Sequence, residues 1–262
     1  MSLRAWFLDE EDSARPRPAI RFANCFLAFF ILAAVFTLCF HQLTYQWNWP
    51  LVFKYRAKFI QGWLATLLIS LASLAASAII GLLFALARRA RLLILPILAR
   101  IYVELIRGTP LLVQVLIFFY VVAQAVGLQN RYLVGILILA FFHGAYISEI
   151  IRSGIESVGK SQLESARAVG FSRAQIYRYV IFPQALRQML PPLAGEFASL
   201  IKDSALLSLI GVSELTLNAK EVNAIVYGSF ESYIPLALGY LVLTLPISLW
   251  TQSIERRSHY ET

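Results

Sequence analysis

The sequence predicts an all-α, polytopic integral membrane protein, and three observations carry that expectation. Of its 262 residues 59% are hydrophobic and only 15% charged, against about 45–50% apolar and about 25% charged in an ordinary soluble domain. Five apolar stretches, and a sixth broken by prolines, approach the ~20 residues a helix needs to cross a bilayer. Basic residues collect in alternate connections between those stretches, as expected when positive charge is retained on one side of a membrane. Six transmembrane helices in one bundle-like domain follow.

The first stretch, Ile20–His41, is longer than the apolar region of a signal peptide and follows Asp9-Glu10-Glu11-Asp12 rather than a purely basic segment. It is expected to stay as an anchor. Its two cysteines, Cys25 and Cys39, lie roughly 21 Å apart along a helix, too far to bridge each other. Residues 1–60 thus comprise an N-terminal segment, the first helix and an outer loop. The second stretch is Trp63–Ala87, and Leu92–Ile106 reads as an amphipathic lead-in to the third, Thr109–Gly127. Between them Arg107-Gly108-Thr109-Pro110 breaks the helix, with Thr109 suited to N-cap and Pro110 to the first helical position. Tyr132–Ile151 is the fourth stretch, Val180–Ile210 the proline-interrupted fifth and Tyr233–Trp250 the sixth. Residues 61–252 make the core, and 253–262 a short tail.

The formal charge of +8 would point to nucleic acid in a soluble chain, but here it sorts by side. Arg4, Arg15, Arg17 and Arg21 precede the first helix; Arg88, Arg89, Arg91 and Arg100 follow the second. Six more lie from Arg152 to Arg187, and Arg256 and Arg257 follow the last helix. These sixteen of the 23 lysines and arginines fall on one side, which places both termini in the cytoplasm. Lys54, Arg56 and Lys58 dissent, since this topology puts them outside.

Residues 153–179 form a polar, basic, helix-prone loop between two apolar stretches. Ser161 and Glu164 have capping-box spacing for a first short helix, Gly170 is suited to a left-handed C-cap, and Ser172 can cap a second. The run Gly154-Ile-Glu-Ser-Val-Gly159-Lys160-Ser161 also fits the phosphate-loop pattern letter for letter. That motif works between a buried strand and a helix, and here a membrane-length apolar segment precedes it, so a nucleotide site is not expected.

Charges within apolar stretches are costly and mark pathways or internal pairs. Glu104, Arg107, Glu149, Glu196, Lys202 and Asp203 qualify. Glu196, Ser199 and Asp203 recur at i, i+3 and i+7 and so share one helix face. Glu149 and Arg152 are spaced for a structural i, i+3 pair. The helix start at Thr109 can aim its positive end at an anion, or be a kink at the membrane boundary. His41, His143 and His259 are too scattered to suggest a metal site, and no nucleophile triad or paired-carboxylate arrangement is legible, so no enzyme active site is expected.

The spacing Glu164-Ser165-Ala166-x3-Gly170-x9-Val180-x-Phe182-Pro183 resembles the E-A-A-x3-G-x9-I-x-L-P signature of membrane subunits of binding-protein-dependent ABC importers. Ser165, Val180 and Phe182 are conservative departures from it. The blocks Tyr102–Gln114, Gly144–Arg152, Pro183–Arg187, Leu190–Pro192, Lys202–Ser204 and Ile210–Thr216 are similar, in order, to the polar amino-acid permease branch. They cover residues 62–250. Ser153 and Gly195 depart from residues usual in that branch.

The resemblance implies a five-helix permease core and a coupling loop whose helix docks in a cleft of a separate ATPase, with Glu164, Ser165, Ala166, Gly170 and Pro183 in that segment. It implies two cytoplasmic ATPase subunits carrying Mg-ATP, with no cofactor in this chain. It further implies a second permease, identical or sister, and an external solute-binding protein that delivers a polar amino acid. Glu104, Arg107, Thr109, Glu149, Glu196, Ser199, Lys202 and Asp203 are the candidate pathway residues, and the outer loop Gly211–Ser232, with Glu214, Glu221 and Glu231, is the candidate gate and docking surface. The rival readings are an ion-coupled secondary transporter, using Glu149, Glu196 or Asp203 as proton sites, and a membrane sensor that binds an amino acid without moving it. Both leave the Glu164–Pro183 spacing unexplained.

Overall fold

A computed structural model of the chain describes residues 18–41, 45 and 47–258, and among them there is no strand. The chain divides into two units, residues 1–47 and 48–262. The first holds helix α1 (Pro18–His41), close to the expected Ile20–His41. Phe22, Phe26, Phe29, Phe30 and Phe36 are all more than half exposed around it. A helix apolar on every side suits lipid as its solvent.

The second unit holds α2 (Trp49–Phe53), α3 (Arg56–Ala87), α4 (Ile94–Arg107), α5 (Leu111–Ile117), α6 (Arg131–Glu156), α7 (Lys160–Ala168), α8 (Arg173–Ile176), α9 (Phe182–Asp203), α10 (Leu215–Val226) and α11 (Ser229–Ser258). Helix α5 runs on into a wider, π-type segment, Phe118–Ala123, and a second such segment, Tyr177–Ile181, joins α8 to α9. The second has a cause in the sequence. Pro183 has no N–H and crowds the carbonyl four residues back, Tyr179, so the turns just before it open. Pro191 and Pro192, expected to interrupt the fifth stretch, lie inside α9 instead; its tight 3-10 extension, Ser204–Ile210, comes only at the end.

By length and apolarity α3, α6 and the Ser229–Ser253 part of α11 are each able to cross a membrane. Helix α4 and the segment Leu111–Ala123 meet the same test only together, and they bend by 107° at their break. Helix α9 carries Arg187, Glu196, Lys202 and Asp203 and does not pass on apolarity. The described part of α1 gives a shorter apolar stretch, Phe22–Leu38.

Helices α3 and α6 form the central pair. The buried stripe of α3 is Gly62, Thr66, Ile69, Ser70, Ser73, Ser77, Gly81 and Ala85, small residues at steps of three and four. In lipid there is no hydrophobic drive between helices, and close backbone approach through small side chains replaces it. A Cβ on Gly81 would stand 2.6 Å from Ile147 of α6, so only glycine fits there. Around this pair Val103, Ile106, Leu111, Val115, Ile138, Leu139, Leu207, Ile210 and Val212 close one apolar core.

Four local expectations are corrected. Thr109 is not the N-cap: Pro110 takes that position in extended geometry, while the Thr109 hydroxyl donates back to Leu105 O at 3.0 Å. A threonine at a helix end competes for the carbonyl four residues back. Gln114 Nε2 then serves the carbonyls left open, Ile106 O at 2.7 Å and Thr109 O at 3.1 Å. Nor does Ser161 cap α7, because Gly159 does, its carbonyl already accepting from Gln162 and Leu163. The stretch 211–232 is not a loop but contains α10. Glu214, fully buried, caps it by accepting from the Thr216 and Leu217 N–H groups, both at 2.8 Å. Glu231 is also buried, accepting from Asn48 N at 2.6 Å. Of the three acids proposed for a docking surface only Glu221 reaches the outside, and it pairs with Lys58.

Candidate translocation path and coupling surface

Two charged centres emerge from the pathway residues. At the C-terminal end of α3, Glu104, Arg107 and Glu149 line an open cleft of about 500 Å³ together with Arg88, Val103 and Tyr146. Glu149 is held between two guanidinium groups. Arg88 Nη1 donates to its Oε2 at 2.5 Å, and Arg152 Nε to its Oε1 at 3.0 Å. Arg152 also pairs with Glu156 one turn on. The expected i, i+3 pair is therefore present, enlarged into a four-member network. Arg107 lies over the Tyr146 ring at 5.3 Å. Glu104 and Arg107 are exposed and, among the described residues, neither makes an ion pair. The cleft thus offers one free carboxylate and one free guanidinium, the complement of a zwitterion's ammonium and carboxylate.

The second centre lies between α6 and α9. Glu196 and Asp203 do share a face, and both lie beside His143, a residue for which the spacing predicts no role. Its side chain is 1% exposed; Nδ1 lies 2.6 Å from Glu196 Oε1 and Nε2 3.5 Å from Asp203 Oδ2. Nδ1 is hydrogen-bonded to Glu196, whereas Nε2, equally buried, makes no hydrogen bond. Ser199 sits half-buried between the two acids along the helix, and Lys202 is exposed, off that face. A signal for His143 did exist, since a lone imidazole within the apolar run 132–151 needs a polar partner. Its partners were hidden because they lie 53 and 60 residues further along the chain.

The coupling segment is built by its caps. Helix α7 ends at Gly170 in the left-handed region, φ +89°, with Gly170 N donating to Arg167 O and Phe171 N to Ala166 O, a Schellman closure. No atom lies within 4 Å of a Cβ built on Gly170, so backbone strain, not a clash within the chain, disfavours a side chain there. Ser172 then caps α8 in a reciprocal capping box with Gln175. Glu164 and Ser165 are exposed on α7, and Pro183 is exposed in the first turn of α9. Ala166 faces the other way, buried with Val158, Ile176, Ile181, Ala185 and Met189; it fixes α7 to its own chain rather than presenting a surface. The phosphate-loop match dissolves in the same way. Gly154 lies inside α6, packed so closely on Met189 that a Cβ would stand 2.3 Å from its side chain.

An apolar helical bundle with charged centres along its helices, and a short exposed helix between two of its long helices, is the architecture of a membrane permease. Residues 77–260 match the family described as binding-protein-dependent transport system inner membrane component, and the chain belongs to that family. Among curated relatives, the probable glutamine ABC transporter permease protein GlnM of Bacillus subtilis (strain 168) is 35% identical over 210 residues, 80% of this chain and 97% of that protein. The glutamine transport system permease protein GlnP of Escherichia coli (strain K12) is 36% identical over 214 residues, 81% of this chain and 98% of that protein. A crystal structure of an amino acid ABC transporter with histidines superposes with a TM-score of 0.75 at 37% identity, covering 81% of this chain and 100% of that one. The MetNI methionine ABC transporter, in an inward-facing form, shares the fold with a TM-score of 0.62 at 19% identity, over 76% of this chain and 95% of that one.

Proposed function

We propose that this chain is the membrane subunit of an ATP-driven importer that carries polar amino acids across the bacterial inner membrane. The observation that carries the reading is α7, an exposed helix bearing Glu164 and Ser165, closed at one end by Gly170 and anchored through Ala166 in the apolar cluster that includes Ile176 and Ile181. A rigid, outward-facing lever of this kind passes movement between a bound partner and the helices that follow it.

In this reading six helices, α1 among them, span the membrane with both termini in the cytoplasm. Helix α7 docks on a separate ATPase that binds and hydrolyses Mg-ATP, the chain itself catalysing nothing. Two permease subunits, identical or sister, enclose the path, and a soluble external protein delivers the substrate. Relatives with glutamine and amino acid in their names support a polar amino acid as cargo. Glu104 and Arg107 are the groups we assign to its ammonium and carboxylate; Glu149 and Tyr146 complete the wall of that cleft.

The experiment is purification of the tagged chain in mild detergent with mass spectrometry of what accompanies it, followed by reconstitution. Co-purification of a P-loop ATPase in equal stoichiometry is the expected outcome, and Gly170→Asp or Glu164→Lys should then uncouple ATP hydrolysis from uptake while both subunits still fold. A chain that comes out alone and still transports, driven by a proton gradient and indifferent to ATP, overturns the reading in favour of ion coupling through Glu196 and Asp203.

A further inference from the structure

Behind α7 lies a cleft of about 620 Å³ that none of the functions above uses. Arg89 from the end of α3, Lys160 and Arg167 of α7 and Arg173 of α8 line it, and its floor is apolar, with Leu163 and Ile176 among the floor residues. Lys160, Leu163 and Arg167 recur at i, i+3 and i+7, which places them on one stripe of α7. The one acidic residue in the lining, Glu156, is already paired with Arg152. Among the described residues Lys160, Arg167 and Arg173 make no ion pair, not even with Glu164, one turn from Lys160. Arg89 is steadied by donating from Nη1 to the Tyr177 hydroxyl at 3.0 Å.

Four cations around one concavity repel one another, and an anion among them relieves that repulsion. Its position says which anion. The cleft adjoins Glu156, the last residue of the membrane-length helix α6, so it lies at headgroup depth. Basic pockets at the ends of membrane helices hold anionic headgroups.

We propose that this cleft is a binding site for a phosphoryl anion, supplied by the headgroup of an anionic phospholipid, with Lys160, Arg167 and Arg173 as its ligands. The lipid wedges between the coupling helix and the end of the bundle and so braces α7 from behind, on the side turned away from Ser165. This goes beyond the transport reading and does not depend on which solute is carried.

The test is native mass spectrometry of the full chain, in whatever complex it purifies with, delipidated and titrated with phosphatidylglycerol, phosphatidylethanolamine or inorganic phosphate. We expect phosphatidylglycerol to be retained over phosphatidylethanolamine. Lys160→Gln, Arg167→Gln and Arg173→Gln should each weaken retention by about fivefold, while Lys54→Gln at the far end of α3 leaves it unchanged. Inorganic phosphate that binds with the same residue dependence, when the lipid shows none, overturns the lipid source and leaves a soluble phosphate as the ligand. Equal retention of both lipids by wild type and the triple variant overturns the site. So does loss of a co-purified ATPase with no change in lipid retention, because the cations then serve acidic side chains of that subunit. A variant that fails to fold is replaced by Arg167→Lys, for which the site requires retention within about twofold of wild type.

Discussion

The two charged centres of the bundle use carboxylates in opposite ways. At the end of the bundle Glu149 accepts from both Arg88 and Arg152, and Arg152 also serves Glu156, so each acid is backed by a guanidinium and Glu149 by two. Between α6 and α9 a single imidazole stands between two acids, with Glu196 16% and Asp203 36% exposed. Both are partly open to water, but the first arrangement is redundant and the second is not. Redundancy suits a place where helices must stay joined while a neighbour pushes on them. One ring between two acids, hydrogen-bonded to Glu196 only, has no second cation behind it.

The sharpest break of that contrast is His143→Leu. It leaves Glu196 without its nitrogen partner next to a buried apolar side chain, and leaving a largely buried charged acceptor unsatisfied costs about 1–3 kcal/mol. Thermal unfolding in detergent should show the largest loss of any substitution considered, and uptake should fall with it. His143→Asn, which keeps one donor for Glu196, is expected to recover part of the stability. If both variants melt like wild type, the ring is a spectator.

Next in size is the Glu214 cap, which tests whether a third buried acid behaves like the interior centre or the peripheral one. Its partners are the two backbone N–H groups of α10 and the Tyr240 hydroxyl at 2.9 Å, with no cation among them. Burial raises its pKa above the ordinary 4.5, opposed by the backbone hydrogen bonds from Thr216 and Leu217 and by the Tyr240 and Thr216 side chains. A carboxyl whose folded pKa is raised binds its proton more tightly in the native state. Its contribution is full below the unfolded value and is lost as pH rises through the folded one. Stability of the wild type should therefore decline with rising pH above about 4.5, and Glu214→Gln should flatten that slope. Glu214→Ala removes the cap at any pH, at about 1–2 kcal/mol.

Much of this architecture was legible because helices write their period locally. The extent of α1, the start of α6, the left-handed turn at Gly170 and the Ser172 cap each depend on residues within a turn or two, whereas α6 runs five residues past the expected Ile151, to Glu156. The common face of Glu196 and Asp203 follows from one helix alone. What the sequence hid is non-local or competitive. His143 gains its meaning from residues on another helix. Ser161 and Thr109 lost their expected caps to Gly159 and Pro110, because a neighbouring residue satisfied the same backbone groups first. Residues 211–232 read as a loop because α10 is capped by a buried glutamate, and a charged residue in a short polar stretch looks like surface until its burial is known. Ala166 belonged to the coupling signature, yet its small side chain serves packing within the chain while Glu164 and Ser165 face out.

The smallest effect belongs to the peripheral network, and it bears most directly on the contrast. Arg88→Gln removes one of two guanidinium groups from Glu149, whose side chain is 22% exposed. Because Arg152 remains and water reaches the site, the loss should be under about 1 kcal/mol. Arg152→Gln alone should cost a similar amount, with Arg88 left to hold the acid. The double variant is the informative one. If the network is redundant, removing both cations leaves Glu149 half-buried and unpaired, and the double loss should exceed the sum of the single losses by at least about 0.5 kcal/mol. Additive losses would mean the two arginines act separately, and the end of the bundle would then be held by apolar packing such as that of Gly81 on Ile147, with the ion pairs merely covering it.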